Sequence, residues 1–251
     1  MEPLRLAGQV IMENGGETFR AEETILRMGR AMGLRELDCF AIPTGLFISF
    51  RGEDGSSASS VTRIHRGGTD MLRVNEVNSV SRALTAGELT VDEAAERLRA
   101  AAALTDPLIR RSLVPAAALC GGGFAVMFGA GWQGLLVGAA VTALVQLISM
   151  RLERRRAQSL VCTLIGAFVS ALLPMLLARA GLPLAVDATI AGCLMPLLPG
   201  LAMTNAVQDA IRGDMISGLS HGLSALMTAG MIACGALVAS GLMDLLAGGG
   251  L

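Results

Sequence analysis

The residues best suited to chemistry in this sequence are Asn205, Asp209 and Arg212, which follow one another at intervals of four and three residues. On an α-helix this spacing puts an amide, a carboxylate and a guanidinium in one stripe. The carboxylate of such a stripe can accept an ammonium group or a proton. The alternative is that Asp209, Arg212 and Asp214 only end a helix at the cytoplasmic interface.

The stripe follows a break in an apolar segment that starts near Leu184. Proline lacks a backbone donor and clashes with the preceding turn, so a helix entering this segment should break near Pro196. A second helix can begin at Pro199, and its positive end at Gly200 can face a carboxylate. Lipid tolerates such a break only where the freed backbone groups are buried in protein or line a watery cavity, and broken membrane helices often form binding sites in transporters.

The composition separates a polar part of the chain from an apolar part. Hydrophobic residues make up 53% of the chain and the mean hydropathy is +0.59, which is too apolar for an ordinary soluble domain. Up to Ser112 there are 14 arginines and 16 acidic residues, against 6 and 5 in the longer remainder. We therefore predict a soluble domain over 1–112 and a membrane domain over 113–251. The net charge of −1 gives no support to nucleic-acid binding.

Periodicity predicts that the first domain is α+β. Apolar residues recur at helical spacing up to Glu13 and again between Thr18 and Met32, and the period then changes to two. Two short apolar runs that flank Pro43-Thr44-Gly45 predict a β-hairpin, and a third strand is expected from Ser59. Further helices are predicted from about Leu72 and from Thr90, where Thr90 and Glu93 have the form of a capping box.

The second domain is expected to contain five spans, the fourth of them broken. Their approximate ranges are 113–131, 133–150, 159–180, 184–211 and 215–246. The fold class predicted is thus a membrane α-helical protein, with a small cytosolic α+β domain followed by a five-helix transmembrane bundle. Small-residue pairs such as Gly134 with Gly138 and Gly218 with Gly222 would let helices approach closely, within the chain or with a partner.

The arginines predict an orientation. By the positive-inside rule the amino terminus should be cytoplasmic, with Trp132 and the carboxyl terminus outside. Arg179 falls on the outer side of a five-span alternation, while seven arginines fall on the other side: Arg110, Arg111, Arg151, Arg154, Arg155, Arg156 and Arg212.

Two further patterns bear on function. The run from Gly218 to Gly222 matches the G-x-S-x-G motif of serine hydrolases, but the adjacent Ser220 and His221 cannot face each other on a helix. His221 is left as a pH-sensitive candidate. No phosphate-binding G-x-x-x-x-G-K-[ST] loop occurs and the chain has no lysine, so nucleotide-driven transport is not expected. We expect no enzyme activity, no cofactor and no metal.

Two blocks of this sequence resemble the threonine/serine exporter (ThrE) family, including its shorter YjjP-like members. The first block lies in the predicted cytosolic domain and contains Glu13-Asn14-Gly15-Gly16-Glu17-Thr18, Glu22-Glu23-Thr24 and Pro43-Thr44-Gly45. The second contains Leu198-Pro199-Gly200, Thr204-Asn205-Ala206, Asp209 and the run from Gly213 to Leu219. The position of His221 is commonly arginine in the family, so this chain departs from the pattern there.

The resemblance implies a multi-pass exporter of the bacterial inner membrane, with threonine and serine or a dicarboxylate such as succinate as substrate. In the absence of a nucleotide site, export would draw on the proton gradient or on the substrate's own gradient. Full-length exporters join two membrane units, so we expect a second small membrane subunit, self-association, or both. The alternative function is a non-transporting membrane sensor. The expected substrate or coupling residues are Pro199, Gly200, Thr204, Asn205, Asp209 and, in the outer part of the fourth span, Asp187.

Overall fold

The computed structural model describes residues 1–51, 57–65, 68–104, 107–246 and 248, with only the backbone of 107–110. The chain is mostly helical and forms two compact units. Unit 1 comprises Met1–Thr105 with Leu201–Gly222, and unit 2 comprises Asp106–Gly200 with Leu223–Leu251. The segment 201–222 therefore belongs to the same compact unit as the amino-terminal elements. The predicted division at 112 into a cytosolic and a membrane domain stays a prediction.

Two amphipathic helices begin unit 1. Helix α1 (Glu2–Glu13) and helix α2 (Thr18–Ala31) turn apolar faces into a shared core that includes Leu4, Ile11 and Ile25. Gly15, at φ +86°, permits the turn between the helices because a left-handed backbone is costly for other residues. Both helices were predicted from their spacing, and both are confirmed.

A small antiparallel sheet follows. Strands β1 (Arg35–Ile42), β2 (Gly45–Arg51) and β3 (Ser57–Arg63) lie in the order β1-β2-β3. The register pairs Cys39 with Ile48 and Ile48 with Ser60, so the predicted hairpin and third strand are confirmed. The side chains of Leu46 and Ile48 are buried in the core of unit 1.

Two capped helices complete the amino-terminal part of unit 1. Helix α3 (Met71–Thr85) begins after Asp70, whose carboxylate accepts hydrogen bonds from the backbone N–H groups of Leu72 and Arg73. Helix α4 (Val91–Ala103) begins after Thr90. Thr90 and Glu93 accept hydrogen bonds from each other's backbone N–H groups, which confirms the predicted capping box.

Unit 2 is built from apolar helices that approach one another closely at small residues. The helices are α5 (Pro107–Met127), α6 (Trp132–Arg154), α7 (Ser159–Arg179), α8 (Val186–Leu194) and the larger part of α10 (Met215–Leu246). A Cβ atom added to Gly138 would lie 3.0 Å from the carbonyl oxygen of Gly121. In unit 1, one added to Gly218 would lie 3.0 Å from the carbonyl oxygen of Ala206. Both predicted small-residue motifs therefore serve packing within the chain.

Three described helices are long and apolar enough to cross a membrane, namely α6, α7 and α10. Helix α8, its continuation to Leu197 and helix α9 (Gly200–Ile211) together pass the same test as one broken span. The part of α5 whose side chains are described, Arg111–Met127, is apolar but shorter than these three helices. The structure thus supports three or four spans, and the fifth stays a prediction.

Candidate functional site

The helix breaks near Pro196 and Pro199, as the sequence predicts. Helix α8 ends at Leu194, a single 3-10 turn covers Met195–Leu197, and α9 starts at Gly200, directly after Pro199. Leu198 adopts an extended backbone, as expected for a residue that precedes proline. An added Cβ at Gly200 would meet no atom within 4 Å, so the first turn of α9 is open on that side.

Helix α9 buries Asn205 and Asp209 and exposes most of its larger apolar side chains. Asn205 and Asp209 are 4% and 1% exposed, whereas Met203 and Val207 are 57% and 59% exposed. This is the reverse of a helix on a water-soluble protein, and it is the arrangement expected where the outer face meets lipid. The spacing of Asn205 and Asp209 therefore places both on the interior face of the helix.

Both carboxylate oxygens of Asp209 have partners inside unit 1. The hydroxyl of Thr18, the first residue of α2, donates to Asp209 Oδ1 at 3.1 Å. The ring nitrogen Nδ1 of His221 lies 2.8 Å from Asp209 Oδ2. Thr18 and His221 are each 2% exposed, so the three groups are shielded from water. Sequence reasoning had left His221 as a pH-sensitive candidate, and the structure gives it a specific partner.

A proton must lie between Asp209 and His221. A carboxylate oxygen and an unprotonated ring nitrogen are both acceptors, so a contact of 2.8 Å requires a hydrogen on one of them. With that proton alone the pair carries one negative charge, and with a second proton on the ring it is neutral overall. The arrangement can therefore take up or release a proton in the protein interior.

The polar interior continues along helix α10. Ser217 precedes His221 by four residues on the same face of α10, and its side chain is fully buried. Among the described residues, Ser217 Oγ and Gln208 Oε1 are buried without a hydrogen-bond partner. Buried polar atoms normally have partners, so these two suggest a place for a water molecule or a ligand group. We call Thr18, Asn205, Asp209, Ser217 and His221 the Asp209 cluster.

Glu22 adds a further acidic group near this cluster. Its carboxylate accepts a hydrogen bond from the backbone N–H of Ala41 at 2.7 Å. Burial raises the pKa of Glu22 above its ordinary 4.5, the Ala41 bond opposes this, and the negative charges of Asp214 and Asp209 add to the rise. Within the described ranges no group of three or more His, Cys, Asp or Glu side chains is placed to hold a metal ion.

The remaining predicted residues are Pro199, Gly200, Thr204 and Asp187, and of these only Thr204 belongs to unit 1. Thr204 is exposed beside Asn205, and Asp187 is exposed in the first turn of α8. Asp209 lies nine residues beyond Gly200, which at ~1.5 Å per residue is about 13 Å along the helix. The carboxylate and ammonium of one amino acid sit on the same carbon, so a single bound molecule cannot contact both points of α9.

Two charged residues follow α9: Arg212 contacts an aromatic ring, and Asp214 caps the next helix. Arg212 lies just beyond the last residue of α9, and its guanidinium carbon is 3.3 Å from the ring centroid of Phe19. Asp214 precedes α10 and accepts a hydrogen bond from the backbone N–H of Ser217 at 3.2 Å. Both residues lie between the last residue of α9 and the first residue of α10.

Sequence reasoning did not single out Thr18 and Ser217, which are members of the Asp209 cluster, or the nearby Glu22. Thr18 and Glu22 were treated as residues of an amphipathic helix in a different domain. Both lie in the amino-terminal block that carries the family resemblance, which was the available signal. Their proximity to Asp209 depends on how α2 and α9 pack, and no local pattern reveals that.

Comparisons with known proteins agree with the family resemblance of the sequence. The sequence model of the ThrE family, described as a threonine/serine exporter, matches residues 4–243. A Klebsiella aerogenes protein named "Probable succinate transporter subunit YjjP" is 25% identical over 87% of this chain and 84% of its own length. A Mycobacterium tuberculosis protein named "Probable threonine/serine exporter" is 23% identical over 91% of this chain but only 43% of its own length. No solved structure shows significant similarity.

Proposed function

Because the chain belongs to the threonine/serine exporter (ThrE) family, we propose that it is a subunit of a bacterial inner-membrane exporter of small hydrophilic metabolites, coupled to the proton gradient through Asp209. The observation that carries this proposal is the buried pair of Asp209 and His221, joined at 2.8 Å and bonded to Thr18. A buried carboxylate in an apolar segment is costly, which favours a functional role.

The charge of the pair suggests how coupling works. With a single proton the pair carries one negative charge, and burial of a charge in the protein interior costs several kcal/mol. A second proton removes that cost, and so does a positively charged ligand beside Asp209. A proton and a substrate ammonium group therefore compete for the same pair. Exchange of one for the other across the membrane drives the substrate out as a proton enters.

This competition favours an amino acid over a dicarboxylate as substrate. Threonine and serine carry the ammonium group that Asp209 can accept, whereas succinate carries only negative charge. Each Asp209 oxygen has one partner and keeps a second lone pair, so an entering ammonium group can bind beside Thr18 and His221. The YjjP relative is named for succinate, so the dicarboxylate is kept as the second substrate to test.

The orientation and the partner follow the same proposal. Thr18 of α2 contacts Asp209 near the end of α9, which supports placing the amino-terminal elements and Arg212 on one side of the membrane. The excess of arginine favours the cytoplasmic side. A reporter that is active only in the cytoplasm should be silent when fused after Leu251, and strong activity would mean that the number of spans is even. The relative's name as a transporter subunit supports a second membrane subunit.

The decisive experiment is transport in vesicles that contain the purified chain and its partner subunit, with and without a proton gradient. Asp209→Asn preserves size and removes the charge, so we expect export per inserted molecule to fall about tenfold or more, the equivalent of ~1.4 kcal/mol. Asp214→Asn is the matched control, because asparagine caps a helix as well as aspartate does. Near-normal transport by Asp209→Asn would refute the coupling role.

A second variant tests the start of α9. The first turn lies about 13 Å along α9 from Asp209, so it would receive a substrate carboxylate at a separate step of transport. Gly200→Leu should block that approach and abolish transport, while the open space around Gly200 lets the protein fold. Unchanged transport would remove Pro199 and Gly200 from the site. If no substrate moves with the wild-type chain, the alternative function of a non-transporting sensor is favoured.

A further inference from the structure

A pocket with four arginines lies in unit 1, apart from the Asp209 cluster. It has a volume of about 350 Å³, which is at the lower end of the range for small-molecule sites. Three helices contribute to it: α2, α3 and the end of α9. The residues that line it are Phe19, Arg20, Glu23, Thr24, Arg27, Asn78, Arg82 and Arg212.

The positive charge of this pocket is only partly neutralised. Arg20 forms an ion pair with Glu17 at 3.1 Å, and Arg27 reaches Glu23 only at 4.0 Å. Within the part of the chain that the structure describes, Arg82 and Arg212 form no ion pair with a carboxylate. Four like charges from three helices repel one another, so their convergence costs free energy unless an anion offsets it.

Arg212 is held in an orientation that suits binding. Its guanidinium lies over the ring of Phe19, with 3.3 Å between the guanidinium carbon and the ring centroid. A stacked guanidinium uses its flat face for the ring and keeps its N–H donors at its edge. Those donors match the two oxygens of a carboxylate or phosphate group. The amide of Asn78 adds an uncharged donor to the lining.

We propose that this arginine pocket binds a small soluble anion with two negative charges, carried by two carboxylates or by one phosphate group. One charge pairs with Arg212 and the other with Arg82 or Arg27. The site is distinct from the Asp209 cluster, because it takes an anion and is open to solvent. The proposal does not depend on what the chain transports or in which direction.

The pocket also has a route to the Asp209 cluster. Phe19, which holds Arg212, directly follows Thr18, which donates to Asp209. Arg212 itself lies three residues after Asp209. An anion that immobilises the side chain of Arg212 therefore also holds the end of α9 against α2. Occupancy of the pocket should stabilise the contact between Thr18 and Asp209.

The test is calorimetric titration of the full chain in nanodiscs of zwitterionic lipid, with succinate and inorganic phosphate as probes and acetate at equal ionic strength as the single-charge control. We expect at least one dianion to bind and acetate to bind at least tenfold more weakly. Arg82→Gln and Arg212→Gln should each weaken that binding about tenfold or more. Arg30→Gln is the matched control, because Arg30 is an exposed arginine of α2 outside the lining.

Three results would overturn the proposal. The first is no binding of either dianion at millimolar concentration, and the second is equal binding of acetate. The third is a response only to nanodiscs that contain anionic phospholipid, which would assign the arginines to lipid headgroups. Unfolding temperatures measured alongside show whether a variant is folded. Arg82→Lys keeps the charge but loses the forked pair of donors, so its affinity for the dianion should lie between those of wild type and Arg82→Gln.

Discussion

Thr18 and Asp209 are 191 residues apart in the sequence and are joined by a hydrogen bond of 3.1 Å in the interior of unit 1. The bond links the first residue of α2 to the only carboxylate of α9. It is one of the contacts between the segment 201–222 and the amino-terminal elements, which belong to the same compact unit. Changes in the amino-terminal part of the chain should therefore reach the proposed coupling residue.

Loss of the Thr18 hydroxyl should weaken this unit. Thr18→Val preserves the shape of the side chain and removes the donor to Asp209, and a hydrogen bond to a charged group contributes about 1.5–3 kcal/mol. We expect the free energy of unfolding to fall by that amount in denaturant titrations of the purified protein. Thr18→Ser, which retains a hydroxyl, should lose much less. A loss confined to Thr18→Ser, with Thr18→Val as stable as wild type, would show that the methyl group and not the hydrogen bond matters.

Removal of His221 should leave Asp209 as an unpaired buried charge. Breaking one side of a buried pair typically costs about 3–5 kcal/mol, so His221→Leu should strongly lower the unfolding free energy. Addition of Asp209→Asn in the same chain removes the stranded charge and should restore part of the loss, which a double-mutant cycle measures. Ser220 is the exposed neighbour of His221, and Ser220→Ala should change the free energy of unfolding by no more than ~0.5 kcal/mol. Strict additivity in the cycle would contradict the pairing.

Glu22 should make stability depend on pH. Burial raises the pKa of Glu22 above 4.5, so the folded protein resists its ionisation more than the unfolded chain does. The stability that this group supports is complete below pH 4.5 and is lost as the pH rises through the raised value. Glu22→Gln cannot ionise, yet its side-chain carbonyl can still accept from Ala41. The variant should have the same melting temperature as wild type at pH 4 and a higher one at pH 7.

The control for this prediction is Glu23→Gln, on the exposed neighbouring position of α2. It should give no comparable gain between pH 4 and pH 7. A gain for Glu22→Gln that is the same at both pH values would instead assign the effect to packing.

Close packing of α7 against α10 should be sensitive to one methyl group. A Cβ atom at Gly235 would lie 2.6 Å from the carbonyl oxygen of Leu164 and 2.9 Å from the backbone nitrogen of Phe168. Backbone atoms cannot move aside cheaply, so Gly235→Ala should cost about 1–3 kcal/mol. Gly230→Ala on the same helix meets open space and should be neutral or stabilising by ~0.5–1 kcal/mol. Thermal unfolding in detergent compares the two, and equal melting temperatures would refute the contact.

The sequence by itself determined the features that depend on neighbouring residues. Helical and strand periods, the hairpin at Pro43-Thr44-Gly45, the Thr90 capping box and the break before Gly200 all follow from interactions within a few residues. The spacing of Asn205 and Asp209 likewise determined that they share one helix face. Family resemblance pointed to the same stretch before any contact was known.

Only the tertiary structure decided what those residues meet. Whether α9 turns Asp209 toward lipid, water or another helix depends on packing between segments far apart in the chain. That packing brought Thr18 and His221 to Asp209 and gathered four arginines from three helices into one pocket. Long-range contacts of this kind arise from the burial of whole faces. A local sequence pattern specifies that a face exists, but it does not specify its partner.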